Sequence, residues 1–129
     1  LGRALVRHAE AAGHAVLHLN RPDCDIADAG AVRRALTEFA PDTVIHPAAY
    51  TNVDGAESDP DSAFAVNALG TRNIALACED TGAQMVYVST NMVFFDESRT
   101  EPYREWDARS PRGATRPARR ARACVAGCP

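Results

Sequence analysis

Three short segments contain residue types that could bind a ligand, and each follows a predicted β-strand. They are residues 20–26, 46–54 and 89–94. In doubly wound sheets, ligands bind at the carboxyl ends of the strands. We therefore expect these segments to supply the binding residues of a site for a nucleotide or a similar small molecule.

The loop 20–26 follows the first predicted strand, where the ribose of a dinucleotide cofactor would lie. An acidic residue at the tip of that strand favours NAD, whereas Arg21 could pair with a 2′-phosphate and admit NADP. Arg21, Asp25 and Ile26 are therefore candidate cofactor-binding residues. The alternative is a solvated loop without a ligand.

The other two segments offer small and hydroxyl-bearing residues at strand ends. Ala48 and Ala49 would let the backbone approach a flat ligand or a pyrophosphate closely. Ser89 and Thr90 form a hydroxyl pair that can hydrogen-bond a carbonyl or hydroxyl group of a substrate. A turn whose hydroxyl groups are satisfied locally is the alternative for that pair.

Helices and strands that must position these segments alternate along the chain. Helical spacing predicts a helix over residues 3–12, a second helix capped by Asp28, and a long helix opened by Ser58-Asp59-Pro60 and ended by Gly82. The apolar faces of the second and third helices are assigned to Val32, Leu36 and Phe39 and to Phe64, Val66, Leu69, Ile74 and Leu76. The predicted strands are residues 14–19, 43–46 and 85–88.

This order of elements predicts the fold class. Helices and strands alternate with short connections, which is typical of a parallel sheet with helices on both faces. The sequence therefore predicts an α/β protein with a Rossmann-like, doubly wound parallel sheet. No run of 18 apolar residues occurs, so we expect no membrane-spanning helix.

The charged residues divide the chain in two. All 14 basic residues are Arg, and the absence of Lys excludes a Schiff-base lysine, a P-loop lysine and a Tyr-x-x-x-Lys pair. Residues 1–107 contain 8 Arg and all 17 acidic residues, whereas residues 108–129 contain 6 Arg and no acid. We expect a partial nucleotide-binding domain at 1–107 and an irregular tail at 108–129, which lacks the aromatic residues of a nucleic-acid-binding segment.

The cysteines predict no metal site. Their spacing lacks the paired pattern of a zinc site, and we expect reduced thiols in a cytoplasmic protein. The four residues are Cys24, Cys78, Cys124 and Cys128.

Longer runs of sequence resemble one protein family. The runs are Ala48-Ala49-Tyr50-Thr51-Asn52-Val53-Asp54 up to Pro60, Ala65-Val66-Asn67-Ala68-Leu69-Gly70-Thr71 up to Ile74, Val86-Tyr87-Val88-Ser89-Thr90 with Val93-Phe94, and Glu101-Pro102-Tyr103-Arg104-Glu105. Over residues 1 to about 107 the chain resembles the dTDP-4-dehydrorhamnose reductases, which are extended short-chain dehydrogenase/reductases.

The resemblance implies a function and partners. It implies reduction of dTDP-4-dehydro-L-rhamnose to dTDP-L-rhamnose with NADP or NAD as cofactor, in nucleotide-sugar and polysaccharide biosynthesis. It also implies a dTDP-linked nucleotide sugar as the partner of the intact relative, with a homodimer as one possible assembly. From the residues themselves we expect a cytoplasmic protein with no nucleic acid or membrane partner.

The resemblance also implies roles for individual residues. Thr90 would help to hold the reacting oxygen, and Asn67 would support the active site. Ala48, Ala49, Tyr50 and Ser89 join the cofactor-binding residues named above. Gly2 corresponds to the last glycine of the family's Gly-x-x-Gly-x-x-Gly loop, so the strand before that loop is expected to be missing from the sheet.

The sequence departs from the family at the catalytic residues. Asn91 and Met92 replace the family's Asp-Tyr, and the catalytic Tyr and Lys positions fall near Thr115 and Arg119. Because a one-base shift of the reading frame can encode Tyr and Lys there, one hypothesis is a frameshift after about residue 107. Whether this chain is an enzyme stays open: an inactive fragment is expected, and a non-catalytic, NAD(P)-binding regulatory homologue is the alternative.

Overall fold

The computed structural model of the chain describes residues 1–94, 96 and 98–110, which belong to two compact units. Unit 1 comprises residues 1–48 and 73–88. Unit 2 comprises residues 49–72 and the described residues between 89 and 110.

Unit 1 is built on a two-stranded parallel sheet. Strand β1 (Thr43–His46) pairs with strand β2 (Gln84–Tyr87), with Thr43 opposite Gln84 and His46 opposite Tyr87. The pairing continues beyond β2, because the Val88 N–H donates to the His46 carbonyl at 3.1 Å. The helices of this unit are α1 (Gly2–Ala11), α2 (Ala29–Phe39) and most of α5 (Thr71–Thr81). The predicted α/β class with parallel strands is confirmed.

The core of unit 1 joins the two longer helices to the sheet. Its buried members are Val32 and Leu36 of α2 and Ile74, Ala77 and Cys78 of α5. Half-buried side chains pack against them, namely Cys24, Ile26, Val44, Ala83 and Met85. Because β1 and β2 each contribute one residue to this cluster, the core fixes the sheet against the helices.

The predicted ends of the helices in unit 1 are confirmed. The Asp28 carboxylate accepts hydrogen bonds from the N–H groups of Gly30 (2.8 Å) and Ala31 (3.1 Å), which caps α2. Gly13 and Gly82 follow α1 and α5 with φ values of 86° and 74°, a conformation that glycine adopts without strain.

The predicted strand at residues 14–19 is wrong. Residues 14–20 have no regular secondary structure, and Leu17 and Leu19 remain 44% and 39% exposed. A strand is stabilised by a hydrogen-bonded ladder with a neighbour. Among the residues that the structure describes, only β1 and β2 form such a ladder, so apolar alternation alone does not make residues 14–19 a strand.

Unit 2 contains the first half of the long helix predicted from the sequence. Helix α3 (Val53–Ser58) was not predicted, and it is followed by α4 (Pro60–Phe64). The chain then passes through a π-helical turn (Ala65–Gly70) directly into α5. Asp59 rather than Ser58 is the N-cap, and its carboxylate accepts a hydrogen bond from the Ser62 N–H at 3.1 Å.

The predicted apolar faces are only partly buried. Ile74 is 6% exposed as expected, but Phe64, Leu69, Leu76 and Phe39 are 36%, 45%, 40% and 39% exposed. The buried positions of the long helix are instead mostly small, namely Ala63, Ala68, Gly70, Thr71, Ala77 and Cys78. Small side chains let a helix backbone approach its neighbours closely. The spacing of large apolar residues did not reveal that small residues would occupy the buried positions.

Candidate functional site

The carboxyl ends of β1 and β2 carry a stacked aromatic pair. His46 is 2% exposed, and its ring stacks on Tyr87 with the ring centroids 5.4 Å apart. Pro47 and Ala48 follow, and Ala48 is exposed. A methyl group added to Gly2 would lie 3.9 Å from the Pro47 ring, so Gly2 at the start of α1 is near this strand end without being sterically required there.

Loop 20–26 of unit 1 is held by its own turn. The Arg21 Nε lies 3.5 Å from the Asp25 carboxylate, and the two side chains are 76% and 41% exposed. Such an exposed pair is weak, so an anionic ligand could displace the carboxylate. The Ile26 side chain packs against the core, while its carbonyl accepts a hydrogen bond from the Asn73 side chain at 3.0 Å. Arg21 is thus the more accessible candidate, and Ile26 serves the core.

In unit 2, Asn67 clamps the loop that follows β1. Its Oδ1 accepts a hydrogen bond from the Tyr50 N–H at 2.8 Å, and its Nδ2 donates to the Tyr50 carbonyl at 3.1 Å. Asn67 is 4% exposed and lies in the π-helical turn, and its own carbonyl accepts a hydrogen bond from the buried Thr71 hydroxyl at 2.9 Å. The side chain therefore fixes the backbone of Tyr50 from a position 17 residues away along the sequence.

The side chain of Tyr50 lies against the first turn of α3. A methyl group at Gly55 would lie 2.5 Å from the Tyr50 hydroxyl oxygen and 2.6 Å from the Asn52 Nδ2. Asn52 caps α3, because its Oδ1 accepts a hydrogen bond from the Gly55 N–H at 2.9 Å. Only glycine leaves this space open. Gly55 was not predicted as a site residue, although Asn52 is of a type that commonly caps helices and so signalled a helix start here.

The hydroxyl pair after β2 leads into a tight turn of unit 2. Ser89 is exposed and Thr90 is half-buried. A 3-10 turn (Asn91–Val93) follows, in which the Phe94 N–H donates to the Asn91 carbonyl at 3.0 Å. Thr90 thus directly precedes an ordered turn.

Within each unit, the structure relates some of the predicted residues directly. In unit 2, Tyr50 and Asn67 are hydrogen-bonded, Ala49 adjoins Tyr50, and Ser89 adjoins Thr90. In unit 1, Arg21 pairs with Asp25. The predicted roles of these residues toward a ligand stay predictions. Thr115 and Arg119, the positions of the missing Tyr-x-x-x-Lys pair, lie outside the described residues.

The described cysteines are poor nucleophiles, and the described residues hold no metal cluster. Cys24 and Cys78 are free thiols, and burial raises the pKa of both. Cys124 and Cys128 lie outside the part of the chain that the structure describes. Across that part, no group of three or more His, Cys, Asp or Glu side chains is arranged to hold a metal ion.

None of the helices that the structure describes has the length and apolar character needed to cross a membrane.

One protein family matches most of the chain. The sequence model of the family described as the RmlD substrate binding domain matches residues 1–120. The chain is 45% identical over 111 residues to the dTDP-4-dehydrorhamnose reductase of Mycolicibacterium smegmatis, which covers 86% of this chain and 33% of that relative. The chain thus spans about a third of the length of the curated relatives that it matches.

Solved structures show the same similarity in three dimensions. The dTDP-4-dehydrorhamnose reductase of Clostridium acetobutylicum superposes with a TM-score of 0.89 at 32% identity, over 96% of this chain and 44% of that chain. The reductase of Bacillus anthracis, solved in complex with NADP, has a TM-score of 0.88 at 32% identity with the same coverage.

Proposed function

The chain belongs to the family of the RmlD substrate binding domain, and on that premise we propose that residues 1–107 are the nicotinamide-nucleotide-binding part of a dTDP-4-dehydrorhamnose reductase. The observation that carries this proposal is the double hydrogen bond between Asn67 and Tyr50. A dinucleotide needs a rigid strand-end loop against which its rings can lie. The Asn67 side chain fixes that loop at both the N–H and the carbonyl group of one residue.

The cofactor of the proposed reductase is NADP or NAD. Arg21 fits a 2′-phosphate, because its side chain is 76% exposed and its ion pair with Asp25 is long at 3.5 Å. The small, exposed side chain of Ala48 leaves room beside the backbone at the end of β1. When bound, the reduced cofactor supplies a hydride, and the residues of this chain would orient it and hold the substrate.

Substrate contacts are assigned to the hydroxyl pair after β2. We assign Thr90 to the oxygen of the ketone that is reduced, where its hydroxyl can donate a hydrogen bond as negative charge develops. The proposed cofactor-binding residues remain those predicted from the sequence, and one of them, Ile26, also packs against the core of unit 1. They are Gly2, Arg21, Asp25, Ile26, Ala48, Ala49, Tyr50, Asn67 and Ser89. The proposed substrate is a dTDP-linked sugar that carries a ketone.

Residues 1–129 do not by themselves complete the acid–base chemistry of such a reductase. They contain no Lys, so they cannot provide a Tyr-x-x-x-Lys pair. Incubating the 129-residue chain with NADPH and dTDP-4-dehydro-L-rhamnose should give no dTDP-L-rhamnose above background. Robust turnover would refute this assignment of the missing pair.

Cofactor preference tests the role of Arg21. Arg21→Gln should weaken binding of NADPH about tenfold, since it removes a charge-assisted hydrogen bond, and should leave binding of NADH unchanged. Arg33→Gln is the matched control, because Arg33 is also an exposed arginine of unit 1, in a similarly long pair with Asp80 at 3.6 Å. Isothermal titration measures both cofactors. Equal losses for NADPH and NADH, or the same loss in Arg33→Gln, would contradict the assignment.

The proposal includes a cytoplasmic homodimer without nucleic-acid or membrane partners. The exposed apolar side chains of Phe64 and Leu69 support a contact with a second copy. Sedimentation equilibrium should show a dimer that Leu69→Glu dissociates. A monomer at every concentration would contradict this part of the proposal.

A further inference from the structure

Arg99 lies at the centre of a cluster in the segment that follows the 3-10 turn of unit 2. Its Nε donates to the Glu101 carbonyl at 3.0 Å, and its Nη2 donates to the Pro102 carbonyl at 3.1 Å. The same Nη2 lies 2.7 Å from the Asp107 carboxylate. We call Arg99, Asp107, Tyr103 and Phe94 the Arg99 cluster.

The partners of Arg99 are themselves fixed. The Asp107 carboxylate also accepts a hydrogen bond from the Arg104 N–H at 2.7 Å. That N–H, and then the Arg99 guanidinium, hold the pKa of Asp107 below its ordinary value, against the opposing effect of burial. The side chains of Arg99 and Asp107 are 27% and 19% exposed, so solvent has limited access to the pair.

The cluster reaches the turn after Thr90 through two aromatic rings. The Arg99 Cζ lies 4.6 Å from the centroid of the Tyr103 ring, a cation–π geometry. Tyr103 stacks on Phe94 with the centroids 4.9 Å apart. The Phe94 N–H closes the 3-10 turn, so a rigid path runs from the guanidinium to the residues that directly follow Thr90.

A backbone hydrogen bond ties the far end of the segment to the same turn. The Ser110 N–H donates to the Val93 carbonyl at 2.9 Å, and Val93 is 5% exposed. Asp107 lies three residues before Ser110, so its ion pair with Arg99 also restrains the backbone that leads to Ser110. The turn is therefore held from both ends of the segment.

We infer that Arg99 is a positioning residue that fixes the turn carrying Thr90, and that it is not a residue that binds phosphate. The inference rests on the proposed function only for the role of Thr90. An arginine near a proposed nucleotide-sugar site would ordinarily be assigned to a phosphate group. Here the Nε–H and both hydrogens of Nη2 are directed at Glu101, Pro102 and Asp107, within the protein.

Arginine is required for this arrangement. A planar guanidinium presents donors in a fixed fork and can lie flat on an aromatic ring, whereas the ammonium group of lysine is a single point. Arg99→Lys keeps the charge but cannot contact two carbonyl groups, the Asp107 carboxylate and the Tyr103 face together. The conservative variant therefore separates geometry from charge.

Amide hydrogen exchange in the 129-residue chain, without cofactor or sugar, tests the positioning role. Arg99→Lys should accelerate exchange at Phe94 and Ser110 about tenfold, as loss of hydrogen bonds to a charged group implies, and leave Gly55 of the same unit unchanged. Arg104→Lys is the matched control, because Arg104 also lies near an aromatic ring, with its guanidinium 5.9 Å from the centroid of Trp106. This variant should leave the exchange rates of Phe94, Ser110 and Gly55 unchanged. Unchanged rates in Arg99→Lys would overturn the inference.

A second measurement tests whether Arg99 binds an anion. Titration with inorganic pyrophosphate, followed by NMR of the Arg99 Nε–H signal, should leave that signal unmoved. A saturable shift would overturn the inference. Neither measurement uses NADPH, so failure here is distinguishable from failure of the proposed reductase function.

Discussion

The clamp between Asn67 and Tyr50 predicts a specific loss of stability. Asn67→Ala removes the partner of the Tyr50 N–H at 2.8 Å and of the Tyr50 carbonyl at 3.1 Å, at a position that is 4% exposed. Leaving two such groups without partners costs about 2–4 kcal/mol of unfolding free energy. Urea denaturation followed by far-UV circular dichroism measures this loss.

Asn73→Ala is the matched control for this prediction. Asn73 lies one and a half turns further along the same continuous helix, and its Nδ2 donates to the carbonyls of Ile26 at 3.0 Å and Ala27 at 3.3 Å. Only its donor side is used in these contacts, so the expected cost is about 1–2 kcal/mol. If Asn67→Ala loses no more stability than Asn73→Ala, the clamp does not hold the loop as we describe.

Asn67→Asp adds a pH signature that simple loss of packing would lack. The carboxylate can still accept from the Tyr50 N–H, but its second oxygen would face the Tyr50 carbonyl oxygen. Burial disfavours the charged form, so the folded-state pKa of this Asp should lie above the value of about 3.9 in the unfolded chain. Stability relative to the wild type should therefore recover as pH falls, because the protonated acid regains a donor, and should be lost as pH rises through that folded-state pKa. If the difference in unfolding free energy between Asn67→Asp and the wild type is the same at about pH 4 and about pH 7 within experimental error, the reasoning is refuted.

Two further predictions concern unit 2. Gly55→Ala should destabilise the protein, because the new methyl group would lie 2.5 Å from the Tyr50 hydroxyl oxygen. Adding Tyr50→Phe removes that hydroxyl and should restore part of the lost stability, but not all of it, since the close contact with Asn52 remains. Thermal unfolding of the single and double variants measures both effects. The hydrogen bonds from Ser62, first its side chain and then its backbone, lower the pKa of Asp59 from its ordinary value of 3.8. At pH values above the unfolded-state pKa, the charged Asp59 cap therefore stabilises the fold, and this stabilisation is lost as pH falls through the lower folded-state pKa. Asp59→Asn should accordingly make stability less dependent on pH on the acid side of the pH–stability curve. An unchanged acid side would contradict this prediction.

Local signals in the sequence predicted α1, α2, the long helix that contains α4 and α5, and two of the strands, but not α3. Asp28, and the Asp59-Pro60 pair within the predicted start of the long helix, mark helix starts through side-chain oxygens and a fixed φ, which need no tertiary partner. Residues 43–46 and 84–87 form strands because each is the other's ladder partner. Residues 14–19 carry a similar apolar pattern, but within the described residues no strand pairs with them.

Contacts between residues distant in sequence could not be predicted in the same way. The bond between Asn67 and Tyr50 spans 17 residues and depends on a π-helical turn, for which apolar periodicity gives no signal. The resemblance to the reductases gave Asn67 a supporting role but not its partner. The ion pair between Arg99 and Asp107 depends on the path of an irregular loop, so composition revealed the charges and not their pairing.

We propose that this chain binds a nicotinamide nucleotide through residues at the carboxyl ends of its parallel strands. NMR titration of the 15N-labelled chain with NADPH and with NADH tests it most directly. Saturable amide shifts should appear at Arg21, at Ala48 to Tyr50 and at Ser89 to Thr90, with the Arg21 shift larger for NADPH because only NADPH carries the 2′-phosphate. Absence of saturable shifts, or shifts confined to residues elsewhere in the chain, would contradict the account.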